Sequence, residues 1–295
     1  MGVTTYGSLF TGAGGFDLGC DAAGWDCQWQ VEVDLACSSV LAKHWPDATR
    51  YQDVKDVSGS TVAPVNVVTF GFPCQDLSIA GRRAGLDGVK SGLFFEAVRI
   101  IKQMREATDG QYPNAVVVEN VAGLLSADKG AAMGRCLDEL AELGALGIEW
   151  RVFDANHFGV PQKRRRLFIV ALWNPRTASR REVFADGAVT PRDLQQDGHL
   201  VGFYKTQGRY DGPQCGALPP LKAITPCAIT GRGVRPRQIT PLESERAMGW
   251  PDNHTKYGAN SVEIPDSVRY KMCGNGVVAP VARYVAESVE RVLNV

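Results

Sequence analysis

GFPCQDLSIAGRRAGLDG, residues 71–88, follows directly on a largely apolar run, VNVVTF at 65–70. The run reads as a strand buried on both faces, the pattern of a parallel sheet. It stops at Gly71, and the chain turns through Phe72-Pro73, where the proline fixes the backbone and removes one amide donor. Cys74 then stands at the mouth of a polar loop with glycines at 81, 85 and 88, free to move as a lid. After Gly92, LFFEAVRIIKQM predicts a helix. A cysteine at the carboxyl end of a buried strand lies where open α/β sheets place their chemistry. The competing reading is an inert core thiol, since free cysteine is commonly buried. The polar and basic residues that follow at once argue against it.

Outward from this stretch, the chain reads as a doubly wound α/β protein. TTYGSLF (4–10) is a short strand, TGAGG (11–15) a glycine turn, and FDLGCDAAG a helix closed by Gly24. Glycines there let a ligand approach the backbone at a helix N-terminus. The next strand, CQWQVEVD, carries Glu32, about 20 positions after the turn, where nucleoside-binding folds hold a ribose. A third short strand, Thr49 to Tyr51, ends near Asp53, a carboxylate within reach of an adenine amino group. Alone, each acid is an ordinary surface charge; with the turn, at this spacing, they favour a nucleoside site.

Beyond the Cys74 loop, NAVVVENVAGLL (114–125) predicts another parallel strand that delivers Glu119 to the crevice holding Cys74. A helix is expected from about Gly130 to Leu143, and then WRVFDANHFGVPQKRRRLFIVALW as strand, turn, strand. Alternation along QKRRR (162–166) puts Arg164 and Arg166 on one face, Lys163 and Arg165 on the other. From Asn174 to about Pro236 the chain is rich in Gly, Pro, Arg and Thr and lacks strong periodicity, which suggests a small separate lobe. RQITPLESERAMGWPDN (237–253) returns to order with a helix from Thr240 or Pro241 to near Gly249, and a last helix follows Val277.

Formal net charge is zero, yet residues 151–246 hold 16 Lys and Arg against 8 Asp and Glu, and the remainder 16 against 24. A basic segment beside an acidic remainder is the footprint of a local nucleic-acid surface, although a solvated charged face is the plainer explanation. Eight cysteines without a CxxC pair and four scattered histidines give no reason to expect a metal. No run is long enough to span a membrane and no export signal precedes the first strand, so a cytoplasmic protein with reduced thiols is expected.

SLFTGAGGFDLG, GFPCQ, ENV, QKRRR, RQITPLESERAMGWPDN and GNGVV stand in this order over nearly the whole chain except 174–236. Together they resemble the DNA (cytosine-5)-methyltransferases of bacteria and phages. The resemblance implies an S-adenosylmethionine-dependent, Rossmann-like catalytic domain from 1–173 plus 265–295, and a target-recognition domain at 174–264. It implies that Cys74 attacks carbon 6 of a flipped-out cytosine, that Glu119 contacts ring nitrogen 3 and the amino group, and that Arg166 binds the ring carbonyl with Arg164 in support. Phe10, Gly12, Gly14, Gly15, Glu32, Asp53, Pro73 and Asn275 would hold the cofactor, without a metal. Ser78, Arg82, Arg83, Arg209, Arg232, Arg235 and Arg237 are the candidate contacts to double-stranded DNA, Arg237 in the position that braces the small lobe. The family usually has Ser where Gly276 stands, which puts that neighbour contact in question. A monomer is expected in a prokaryotic or phage-infected cell, with a cognate restriction endonuclease acting separately as a candidate partner. A tRNA-methylating relative is disfavoured by the absence of a Cys-Phe-Thr signature, an inactive DNA-binding module by the intact Cys74, Glu119 and Arg166, and a small-molecule methyltransferase by the basic lobe.

Overall fold

The computed structural model describes residues 2–72, 92–173, 183–184, 201–206, 209–215, 228–230 and 237–293, with the strands between 201 and 230 described by their backbone. Cys74, Pro73, Ser78, Arg82, Arg83, Arg232, Arg235 and the side chain of Arg209 lie outside the described residues.

Seven strands form the main sheet: β1 (Thr5–Leu9), β2 (Asp26–Val31), β3 (Thr49–Tyr51), β4 (Val67–Gly71), β5 (Ala115–Val121), β6 (Gly147–Asp154) and β7 (Arg165–Leu172), in the order β3-β2-β1-β4-β5-β7-β6. β1 to β5 pair in parallel and β7 runs antiparallel to both its neighbours. Period-two alternation buries both faces. On β7, Phe168, Val170 and Leu172 join one core with Tyr6, Phe16 and Val117, while Leu167, Ile169 and Ala171 join the other with Trp29, Phe70 and Val118. Such double-sided burial requires helices on both faces. They are α1 (Gly15–Ala22), α2 (Leu35–His44), α3 (Gly92–Ala107), α4 (Ala131–Glu142), α5 (Pro241–Ala247), α6 (Asp266–Asn275) and α7 (Ala279–Leu293). α2 and α6 lie in stretches whose sequence pattern announces no helix. In α6 the buried set is Arg269, Met272 and Cys273, so an ion-paired arginine takes a core position and blurs the apolar stripe.

The strand order reverses between β1 and β4, where ligands of open α/β sheets bind. Leu9 pairs with Phe70 there, and Gly71 with Glu119 on the next strand. The chain therefore leaves β1, β4 and β5 at one edge of the sheet. A second, antiparallel sheet, β11-β10-β8-β9, comprises β8 (Val201–Thr206), β9 (Arg209–Cys215), β10 (Ala228–Thr230) and β11 (Arg237–Gln238). Past it, Ile239, Ala247, Met248, Trp250 and Ile264 return to the larger core. No described helix is long and apolar enough to cross a membrane.

α1 and α7 cross at Gly19, where an added Cβ would lie 2.5 Å from the Cβ of Ala282 and 2.6 Å from the Arg283 amide nitrogen. Gly134 on α4 has nothing within 4 Å of the same position. Gly19→Ala is therefore expected to destabilise the protein by about 1–3 kcal/mol through overpacking. Gly134→Ala is expected to be neutral or to add roughly 0.5–1 kcal/mol from helix propensity. Urea unfolding of the two variants checks this, and equal effects would contradict the packing.

Candidate active site

Two groups of residues meet at the shared sheet edge. The first surrounds the turn after β1. Phe10, Gly12 and Gly14 take positive φ values of 54, 61 and 86°, so the backbone doubles back before α1 begins at Gly15. A Cβ on Gly14 would lie 2.5 Å from the Trp45 ring, and one on Gly15 would lie 2.4 Å from the Val277 carbonyl oxygen. A Cβ on Gly12 would meet nothing within 4 Å, so the turn is open on that side. Glu32, directly after β2, closes the other side: Oε2 accepts from the Gly12 amide at 2.7 Å and Oε1 from the Asp34 amide at 2.8 Å. Burial pushes its carboxyl above the usual range, against the pull of those two amides. Asp53 follows β3, half-buried, and accepts from the Lys55 amide at 3.0 Å. Asn275, exposed, ends α6 two residues before Val277, the residue that abuts Gly15. The expected cofactor residues Phe10, Gly12, Gly14, Gly15, Glu32, Asp53 and Asn275 thus sit on strand ends β1 to β3 and on the segment facing them.

The second group surrounds the end of β4. Glu119 pairs in register with Gly71, three residues before Cys74. A Cβ at Gly71 would lie 3.2 Å from Glu119 Oε2, so glycine leaves that carboxylate its room. Because β7 is antiparallel to β5, its first residues come to the carboxyl end of β5, and Val121 lies opposite Arg166. Arg166 Nε stands 3.0 Å from Glu119 Oε1, with side chains 21% and 12% exposed. Burial raises the Glu119 pKa, and the positive charges of Arg166 and then Arg164 oppose the rise. A raised pKa favours the protonated form relative to a free carboxylate. Arg164 is buried on the same side as Arg166, while Lys163 and Arg165 are exposed, as the alternation predicts. Asn120, absent from the expected set, donates Nδ2–H to the Phe72 carbonyl at 3.4 Å and so ties the chain leading to Cys74 onto β5. Arg237 makes two charged hydrogen bonds to Glu243, at 2.6 and 2.8 Å, at the capped start of α5.

The family model for C-5 cytosine-specific DNA methylases matches residues 4–202 and 203–291. The chain belongs to that family. It is a DNA (cytosine-5)-methyltransferase. It is 30% identical to the Type II methyltransferase M2.BsuMI of Bacillus subtilis, over 96% of this chain and 75% of the relative. With M1.ScrFI of Lactococcus lactis subsp. cremoris it shares 28%, over 97% and 77%. Its fold matches that of the S. pombe Dnmt2 methyltransferase with a TM-score of 0.71 at 15% identity, over 100% of both chains. It also matches the Entamoeba histolytica methyltransferase EhMeth with a TM-score of 0.69 at 14% identity, over 99% of both chains.

In this methyltransferase the segment after α5 grips the glycine turn, a feature the sequence reading did not reach. Glu245, fully buried, accepts from the amides of Asn253 and Thr255, the Thr255 hydroxyl and Arg269 Nη2. This knot fixes the loop that carries His254. Its Nε2–H donates to the Ala13 carbonyl at 2.7 Å, and its ring stacks on His44 at 4.2 Å between centroids. Trp250 donates Nε1–H to the Val277 carbonyl at 3.0 Å. Its ring occupies the place of a side chain at 276, since a Cβ there would lie 2.5 Å from it. Gly276, where the resemblance leads one to expect Ser, is thus the complement of Trp250. Gly276→Ser is expected to cost about 1–3 kcal/mol in this enzyme. In a Trp250→Leu background, itself destabilised, the further cost of Gly276→Ser is expected to be smaller; a neutral Gly276→Ser in the parent by thermal unfolding would contradict the fit.

Burial pushes the His254 pKa down from 6.5 to about 4. The unfolded chain then binds one more proton than the native one between those values, so stability falls as pH drops from about 6.5 towards 4, by at most about 1.4 kcal/mol per pH unit. Asp17, raised by burial to about 7, acts in the opposite sense below that pH. Comparison with His254→Gln isolates the histidine: the variant is expected to lose less stability between pH 6.5 and 4.5 in denaturant titrations. Parallel pH profiles would contradict the assignment.

Proposed function

We propose that this enzyme methylates carbon 5 of a specific cytosine in duplex DNA, with S-adenosylmethionine as methyl donor, through a covalent Cys74–cytosine intermediate. The observation that carries the reading is the Gly71–Glu119 register with Arg166 at 3.0 Å from Glu119, three residues from Cys74. A cytosine ring between these groups would meet a nucleophile, a carboxyl group whose pKa burial raises, and a cation. The glycine turn with Glu32 fits the cofactor: it offers an open backbone at Gly12, a helix N-terminus and a carboxylate at ribose spacing. When bound there, S-adenosylmethionine would supply an electrophilic methyl group and leave as the thioether S-adenosylhomocysteine.

The chain's own groups would do the rest. The Cys74 thiolate adds to carbon 6, and Glu119 shares a proton with ring nitrogen 3 so that charge does not build on the ring. Arg166 holds the ring carbonyl oxygen. Carbon 5, now electron-rich, takes the methyl group; loss of its proton to water then expels the thiolate and restores the ring. A stacked base cannot reach this crevice, so the cytosine must be flipped out, at a few kcal/mol. Closure of the 74–92 loop, with Ser78, Arg82 and Arg83 on the phosphates, would hold it there.

Sequence choice is assigned to the lobe built on β8 to β11, with Arg209, Arg232 and Arg235 as candidate contacts. The packing of 239–264 into the larger core supports a recognition domain that ends near Gln238 rather than at 264. The Arg237–Glu243 pair supports a bracing role for Arg237 at that junction. The relatives' Type II names suggest a restriction-modification setting, with a separate endonuclease as partner.

Transfer of labelled methyl groups tests the reading. Label is expected in duplex DNA and not in tRNA, none with Cys74→Ser, and a rate about 10²–10⁴-fold lower with Glu119→Gln. Full activity of Cys74→Ser, or label in tRNA alone, would overturn it.

A further inference from the structure

Arg164 stands one residue before β7 and is 2% exposed. Its Nη2 donates to the Gly274 carbonyl at 3.0 Å and to the Gly276 carbonyl at 2.7 Å. These two carbonyls flank Asn275. The first belongs to the last turn of α6 and the second to its extended C-cap, where carbonyls lack partners within the helix and the helix end is negative, so a buried guanidinium suits both. The Arg164 amide donates to Asp154 Oδ1 at 3.1 Å, which anchors the backbone behind the guanidinium. From the other side, Trp250 holds the Val277 carbonyl and fills the space at Gly276. Asn275 is thus an exposed side chain on a backbone held at the peptide before it and at the second peptide after it.

We propose that Arg164 is a positioning residue for the cofactor pocket: it sets Asn275 against the glycine turn, across the crevice from Glu119. This goes beyond support of Arg166, and it rests on the reading of Asn275 as a cofactor residue. Arg164, just before β7, and Arg166 within it lie on one side of the same segment, so that segment would hold the cofactor wall with one arginine and the base with the other. Lysine does not reproduce this contact, because its ammonium lacks the rigid planar group that carries Nη2 to both carbonyls.

The test is a double-mutant cycle in the full chain, read as the Kd for S-adenosylhomocysteine by calorimetry. Arg164→Lys and Asn275→Ala are each expected to weaken binding about tenfold. The double variant is expected to be no more than about threefold weaker than the worse single one, as for coupled residues. A merely structural role would lower the melting temperature and leave the two losses multiplicative. Independent losses, or an Arg164→Lys enzyme with unchanged affinity and a lower kcat, would overturn the proposal and return Arg164 to the support of Arg166. If Asn275→Ala binds as tightly as the parent, the cofactor reading of Asn275 fails first. Should Arg164→Lys not fold, Arg164→Gln enters the same cycle with the same outcomes.

Discussion

The parallel pairing of β4 between β1 and β5 is the constraint on which the site depends. It places the ends of three strands side by side at the point where the strand order reverses. One end carries the glycine turn, the next leads to Cys74, and the third carries Glu119. The antiparallel β7 then adds a cation, because its start rather than its end lies at that edge. Were β7 parallel, Arg164 and Arg166 would emerge at the opposite edge, far from the carboxylate they face.

A second layer of buried polar contacts holds this edge in shape. Glu245 and Arg269 pair in the core and are saturated by the amides and hydroxyl of the 253–255 loop. Breaking such a pair by removing one partner typically costs about 3–5 kcal/mol. The pair fixes His254 on Ala13, and Trp250 fixes Val277 beside Gly15. The segment that follows the small lobe therefore contacts both walls of the glycine turn. β11 belongs to the lobe's sheet and α5 begins three residues later, so little chain separates the lobe from these contacts.

Much of this was legible in the sequence, because local patterns dictate it. The apolar runs at 65–70 and 114–118 announce buried strands, the glycines at 12, 14 and 15 announce a tight turn, and the alternation of QKRRR tells inward from outward arginines. What stayed hidden depends on long-range contact. α2 is capped by Asp34, but its small residues give little amphipathic signal. In α6 the buried face includes Arg269, intelligible only beside Glu245. Asn120, Trp250 and His254 act through single backbone carbonyls remote in the chain, and no spacing rule points to such partners. Arg164 was legible as an inward arginine, yet its attachment to Gly274 and Gly276 follows from the packing of α6. The Gly276 departure reads in isolation as a lost contact; the Trp250 ring turns it into a steric requirement.

The proposed attack of Cys74 on carbon 6 of a cytosine is the step that the three strand ends would serve. Its most direct measurement uses duplex DNA carrying 5-fluorocytosine at the methylated position. After addition at carbon 6 and methyl transfer, fluorine at carbon 5 cannot leave as a proton does, so the thiolate cannot be expelled. A cofactor-dependent protein–DNA adduct that survives denaturing electrophoresis, with the modified peptide mapping to Cys74, is the expected result. Absence of an adduct on a duplex that the enzyme otherwise methylates, or an adduct at a different residue, would contradict it.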